Sequence, residues 1–419
     1  MNLYKDAILP EPGNSPAFKF FLGEFLLMRI FGVSRNSKLL GFASMLTDIS
    51  TEMIYPLLPF FLTDVLYAPI IVIGLLESLG EFTVAVTGFL SGVYSDSIGK
   101  RKKLIISGYT ASALFKGFLA VVTSWPQVIL LRILDRAGKG IRDVPRDALI
   151  GLSEPKNNLG NAFGFRKFMD NLGAIIGPLA ATAFVILFFN SIHSEESYRT
   201  LFLISVIPAA FAVLALFFLN DPSTDKTPSR KIITDVFNIP NFRQFMIAGI
   251  VFSIGQFSIL FMLLRANEYL PLFLIPLSYL AFNVFYTIFA YPAGILLDRF
   301  GARNALILAM LCFLATLIGI GFFPSMLTIF AAFALLGLFM AIAETAPQVF
   351  LVKNVPQARY ASAIGSYKGI LGLTALPANL LAGILWTVPI FSVPSAFIFS
   401  IVTTVLSIIM LFVLVKEKK

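Results

Sequence analysis

The residues of this chain that could do chemistry are acids and bases set at helical spacing inside apolar segments. Asp48 and Glu52 stand four apart, as do Glu77 and Glu81, so each pair shares one face of a helix. Farther on come Arg132, Asp135, Arg136, Lys139, Arg142, Asp143, Arg146 and Asp147. At about 100° per residue these fall within an arc of roughly 140°, with Leu130, Leu134, Ala137, Ile141 and Val144 on the opposite face. Arg166, Lys167 and Asp170 follow one segment later. The second half of the chain is sparser. Glu344 and Lys368 stand out there, with Gln256 and Asn283 as uncharged polar candidates, and Arg265 and Glu268 end an apolar run. Guanidinium groups suit carboxylate or phosphate, and carboxylates held away from water can exchange protons near neutral pH or hold a hard cation.

Other chemistries lack their residues. The chain has one cysteine, Cys312, and one histidine, His193, so neither an intramolecular disulfide nor a Cys/His metal cluster is expected. No nucleophile–base pair or phosphate cradle appears, which argues against an enzyme, and no organic or metal cofactor is implied.

The elements that carry these charges must span a bilayer. Hydrophobic residues make up 58% of the 419 and charged residues 13%, too few charges to cover a water-soluble domain of that length. A spanning helix needs ~20 apolar residues, and twelve such segments fill the chain. The expected spans are 38–63, 70–94, 102–123, 126–150, 160–189, 198–219, 243–264, 271–297, 302–322, 325–351, 360–386 and 392–415. An ionisable residue at mid-bilayer costs roughly 2.5–3.5 kcal/mol, so the charged faces must line a polar interior rather than face lipid. The division expected is a cytoplasmic segment at 1–35 holding an interfacial helix (Phe18 to Phe31), a six-helix bundle at 36–219, a linker at 220–242 containing Pro222, Pro228 and Pro240, and a second bundle with a short tail at 243–419.

Lysine and arginine collect in alternate loops, from Lys100, Arg101, Lys102 and Lys103 to Arg299, Arg303, Lys353 and Arg359, whereas the other side holds only Arg199 and Arg265. The positive-inside rule then puts both termini in the cytoplasm. It also explains the net charge of +9 without nucleic acid. An internal repeat is visible: Gly92, Asp96 and Gly99 recur 202 residues later as Gly294, Asp298 and Gly301, and Pro145 recurs as Pro347. Two like halves around a central pathway are a recurring plan of transporters.

On these residues the chain resembles the major facilitator superfamily. The run Gly92-Val-Tyr-Ser-Asp96-Ser-Ile-Gly99-Lys100-Arg101-Lys102 is similar to the family's signature after its second helix, with Tyr94 and Ser97 as departures. The second copy keeps Asp298, Arg299 and Gly301, Arg132 falls near the family's fourth-helix arginine, and Gly173-x-x-x-Gly177-Pro178 is similar to a motif of its exporters. The resemblance implies an all-α membrane protein of twelve transmembrane helices in two pseudo-symmetric six-helix bundles, working by alternating access. It assigns a gate to Gly92, Asp96, Gly99, Arg101, Asp298 and Arg299. Arg142, Arg146, Arg166 and Asp170 are expected to supply the gate's ion pairs.

The function expected is secondary active transport of a small polar solute, anionic or zwitterionic, coupled to H+ and slightly favouring export. Arg132, Asp135, Arg136, Lys139, Gln256, Glu344 and Lys368 are the candidate solute ligands, and Asp48, Glu52, Glu77 and Glu81 the candidate coupling acids. The expected setting is a monomer in the inner membrane, partnered by its solute and the lipid bilayer. The alternatives are a carrier of an inorganic cation or metal ion using the acids of helices 1 and 2, or a multidrug efflux pump.

Overall fold

A computed structural model describes the backbone of residues 32–98, 100–155, 158–188, 195–221, 238–354, 360–387 and 394–416. The expected interfacial helix within 1–35 and most of the expected linker lie outside the described residues. The described segments form twelve helices and, among them, no strand. In the first half, α1 is Arg35–Ile54, α2 Ile71–Ile98, α3 Lys102–Phe118, α4 Trp125–Ser153, α5 Leu159–Phe188 and α6 Glu195–Leu216. In the second, α7 is Pro240–Gly255 resumed as Ile259–Asn267, and α8 is Leu274–Phe300. Then come α9 at Ala302–Phe322, α10 at Met326–Ala343 resumed as Ala346–Asn354, α11 at Tyr360–Thr387 and α12 at Pro394–Leu414.

The expected spans all form, but three are interrupted. α1 stops at Ile54 because Pro56 has no N–H to continue the ladder, and the chain resumes as a short turn at Leu58–Phe60 and a π-helical turn at Phe61–Val65. α7 breaks at Gln256, and Ser258 caps the resumed segment by accepting from the Leu260 N–H. α10 breaks at Glu344, three residues before Pro347. Among the described residues, nine helices are long and apolar enough to cross a membrane on their own composition. The other three are α1, α4 and α8. In α8 the mainly apolar stretch among the described residues is Leu274–Ala290. The first two carry the charges described above.

The repeat seen in sequence is a repeat of packing. α1 packs on α5 and α6, α2 on α4, and α3 on α4 and α6. The same relations hold between α7 and α11, α7 and α12, α8 and α10, α9 and α10, and α9 and α12. The halves meet through α2 with α11 and α5 with α8, which the same symmetry exchanges. A matching side-chain tie closes the Lys/Arg-rich end of each half. Asn36 Nδ2 donates to the Asn220 carbonyl at 2.9 Å while Asn220 N–H donates back to Asn36 Oδ1 at 3.0 Å. Asn241 makes the same exchange with Lys416, at 2.8 and 3.0 Å. At the first turn of α3, Lys102 Nζ donates to the carbonyls of Phe217 and Leu219. Arg303, at the first turn of α9, donates to that of Val415.

Candidate functional site

The halves enclose a cavity of about 590 Å³. Among the described residues its charged lining comes from α1, α2 and α4: Asp48, Glu52, Glu77, Glu81, Arg132, Asp135, Arg136, Lys139 and Arg142. Gln256, Ser258, Tyr279 and Asn379 add polar groups from the other half. The lining has four basic residues (Arg132, Arg136, Lys139, Arg142) against five acids (Asp48, Glu52, Glu77, Glu81, Asp135), so the cavity is mixed in sign.

Small residues and one proline set the acids in place. A Cβ added at Gly173 would lie 2.5 Å from the Met45 carbonyl and 2.9 Å from Asp48 Cβ, and one at Gly177 would lie 2.5 Å from Glu52 Cβ. These glycines of α5 therefore let α1 approach at the turns that bear Asp48 and Glu52. Pro178 leaves the carbonyl of Ala174 without its intrahelical donor. Asn283 Nδ2 of α8 donates to that carbonyl at 3.0 Å, so the Gly-Pro motif also supplies a contact between halves.

Most of the charges are paired. Arg132 bonds Glu77 at 3.2 Å and lies 3.6 Å from Asp135. Asp135 accepts from Ser112 Oγ. Glu77 accepts from Tyr55 Oη at 3.0 Å and, across the interface between halves, from Ser258 Oγ at 3.4 Å. Arg136 pairs with Glu81 at 3.5 Å. Removing two charges from water is repaid only by close partners, and here α2 supplies the partners of α4. Glu77 and Glu81, expected as coupling acids, thus neutralise Arg132 and Arg136. Asp48, Glu52 and Lys139 stand apart: no ion pair within 4.0 Å joins them to any described residue, and Glu52 Oε2 is buried without a hydrogen-bond partner there.

Some expected residues fall elsewhere. Glu344 does not line the cavity. It accepts from Tyr286 Oη and lies 3.8 Å from Lys167 Nζ of the other half, because the break in α10 ends the helix there. The side chains of Lys368, Asp96 and Asp298, and all of Gly99, lie outside the described residues. Gly92 is helical and Arg299 exposed. Arg101 is buried, and its N–H donates to Asp221 at 3.1 Å. Arg146 pairs with Asp143 and Asp147, both at 3.1 Å, and Arg166 with Asp170 at 2.9 Å and Asp147 at 3.7 Å. These form one ionic network joining α4 to α5. Arg142, expected with that network, also reaches the cavity, its guanidinium 4.3 Å over the Tyr109 ring.

Sequence reasoning missed Lys116. It is buried in α3, donating to Thr51 Oγ1 at 2.7 Å behind the cavity. A lysine within the apolar run of α3 was the available signal. Ser258 and Asn379 carried none: they matter because the break in α7 aims the Ser258 N–H at Asn379 Oδ1, 2.7 Å away.

The cavity is sealed at the end away from the basic loops. There Ser78 Oγ donates to the Leu376 carbonyl at 3.0 Å, the Tyr55 and Tyr279 rings lie 5.7 Å apart, and Gly74 and Gly383 allow backbone contact between α2 and α11. Toward the basic end the lining opens. The Glu77 side chain is 7% exposed, and that of Glu81, one turn nearer the basic loops, is 49% exposed.

Two pseudo-symmetric six-helix bundles around a charged central cavity define a multi-pass membrane transporter. Known proteins agree. The sequence profile of the Major Facilitator Superfamily matches residues 40–277 and 245–419. The chain is 33% identical over 367 residues to an uncharacterized MFS-type transporter of Methanocaldococcus jannaschii, covering 85% of this chain and 89% of that one. It is 28% identical over 139 residues to a multidrug resistance protein of Photorhabdus laumondii, covering 33% of this chain and 34% of that one. The crystal structure of a nucleoside transporter, NupG, superposes with a TM-score of 0.75 at 15% identity, covering 91% of this chain and all of that one. The chain belongs to the Major Facilitator Superfamily; it is a transporter and not an enzyme.

Proposed function

We propose that this transporter moves a small polar organic solute, zwitterionic or anionic, by alternating access coupled to protons. The observation that carries the proposal is the trio Asp48, Glu52 and Lys139. They face one cavity from opposed helices, without ion-pair partners among the described residues, while the neighbouring charges are paired. Lys139 and the guanidinium of Arg136 suit an acidic group of the solute. Asp48 and Glu52 suit an amine, or a proton taken up in its place. No organic cofactor enters; the coupling ion is H+. The Lys/Arg distribution puts both termini in the cytoplasm, so the cavity opens inward; the membrane is the inner membrane and the working unit a monomer. The Gly-Pro motif of α5 favours export.

Multidrug efflux is the second reading, supported by the partial likeness to a protein named for multidrug resistance. The charge density of the cavity weighs against it. A carrier of inorganic cations is weaker, since two of its four expected acids, Glu77 and Glu81, are held by arginines.

The test is solute-driven proton flux in proteoliposomes, screened over amino acids, dicarboxylates and phosphate. A flux is expected that falls at least tenfold in both Lys139→Ala and Glu52→Gln. Fluxes unchanged in both variants refute the site.

A further inference from the structure

The two walls of the cavity differ in kind. Every lining residue contributed by the N-terminal half is polar or ionisable. Among the described residues, no lining residue of the C-terminal half carries a carboxylate, ammonium or guanidinium. It presents apolar carbon from Phe282, Leu336 and Met340 beside the neutral polar groups of Ser253, Gln256, Ser258, Tyr279 and Asn379. Phe282 and Met340 are only half-buried, so an apolar face is offered to whatever fills the space.

A solute polar on every side would fit this cavity badly. Over the Phe282, Leu336 and Met340 part of the C-terminal wall it would exchange water for aromatic and aliphatic carbon, losing hydrogen bonds that these side chains cannot replace. A wholly apolar solute would strip water from Asp48, Glu52 and Lys139, with the same penalty on the other wall. Only a molecule divided as the cavity is divided satisfies both. A volume of about 590 Å³ suits one organic molecule of drug size or below.

We propose that the solute is amphipathic: a head carrying both signs of charge lies on the α1, α2 and α4 wall, and an apolar body, aliphatic or aromatic, lies on the wall of Phe282 and Met340. This rests on the zwitterionic reading above and adds the part of the solute that reading leaves open. The head sets whether a molecule binds at all. The body sets how tightly.

The experiment is binding of glycine, alanine, leucine and phenylalanine to the purified full-length protein in lipid nanodiscs, by calorimetry or thermal shift. All four share one zwitterionic head. Burial of apolar surface predicts that affinity rises about fourfold per added methylene from glycine to leucine. Phenylalanine should bind at least as tightly as leucine. In Phe282→Ala and Met340→Ala the slope should flatten while glycine binding stays within about twofold. In Lys139→Ala the whole series should weaken together with its slope kept. The slope in the unaltered protein needs no variant, so a poorly folding mutant cannot hide the answer. Binding of all four with equal affinity overturns the amphipathic proposal and leaves the zwitterionic reading standing. Binding of none overturns the zwitterionic reading, and this proposal with it.

Discussion

Gly74→Ala should tilt the transporter out of the state described here. A Cβ at position 74 would lie 2.2 Å from the Asn379 carbonyl oxygen and 2.9 Å from its carbon. Both atoms belong to the backbone of a helix in the other half, so no side chain can swing aside. Ordinary contact requires α2 and α11 to part by about 1 Å at the sealed end, and close-packed interfaces absorb such a shift poorly. Overpacking of this kind costs typically 1–3 kcal/mol, or about 5- to 150-fold in the ratio of conformers. The helix-propensity gain from glycine to alanine, about 1 kcal/mol, applies in both conformers and cancels. The assay is the distance between spin labels at Tyr67 and Tyr269, both exposed and one in each half, in a Cys312→Ala background. A longer-distance population should grow at least fivefold. A distribution identical to that without the substitution refutes the claim that the two halves part along α2 and α11.

Four further outcomes follow from the geometry. Arg132→Ala strands Glu77 in a buried site, and breaking such a pair costs about 3–5 kcal/mol; thermal unfolding should fall sharply, and Arg132→Met with Glu77→Gln should recover most of the loss. Gly177→Ala drives a methyl against Glu52 Cβ, 2.5 Å away, so solute-driven proton flux should drop about tenfold, with protein yield kept. Asn36→Ala and Asn241→Ala each leave backbone groups unpaired, at about 1–3 kcal/mol; the symmetry predicts similar falls in melting temperature, and a twofold disparity in free energy argues against equivalent ties. Glu154, beyond the end of α4, would have its carboxyl raised by burial. Hydrogen bonds from Ser37, Ser34 and Asn158 more than offset this and hold it below the usual carboxylate range. Its contribution is therefore present above the unfolded-state value and lost as pH falls through the lowered one. Glu154→Gln should remove that acid-side dependence from the melting curve.

Much of the fold was legible because apolar length and loop charge are decided residue by residue. The 202-residue repeat at Gly92, Asp96 and Gly99 announced two like halves, and α2 packs on α4 as α8 packs on α10. The acidic and basic faces of α1, α2 and α4 were also legible, since helical spacing puts Asp48 with Glu52 and Arg132 with Asp135 and Arg136. Partnership was not. That Glu77 meets Arg132 while Asp48 meets no cation within ion-pair distance among the described residues depends on how α2 and α1 pack on α4. Pro347 could have announced the break of α10 at Glu344, but not that the Glu344 carboxylate would meet Tyr286 and Lys167. Ser258 gained its place from a break in α7 that no proline at the site announces.

A structure of the protein with a transported solute bound decides whether Asp48, Glu52 and Lys139 form the binding site. Density should bridge the walls, with an acidic group within hydrogen-bond distance of Lys139 or Arg136 and a basic group against Asp48 or Glu52. A transported solute bound without touching Lys139, Asp48 or Glu52 would contradict that assignment.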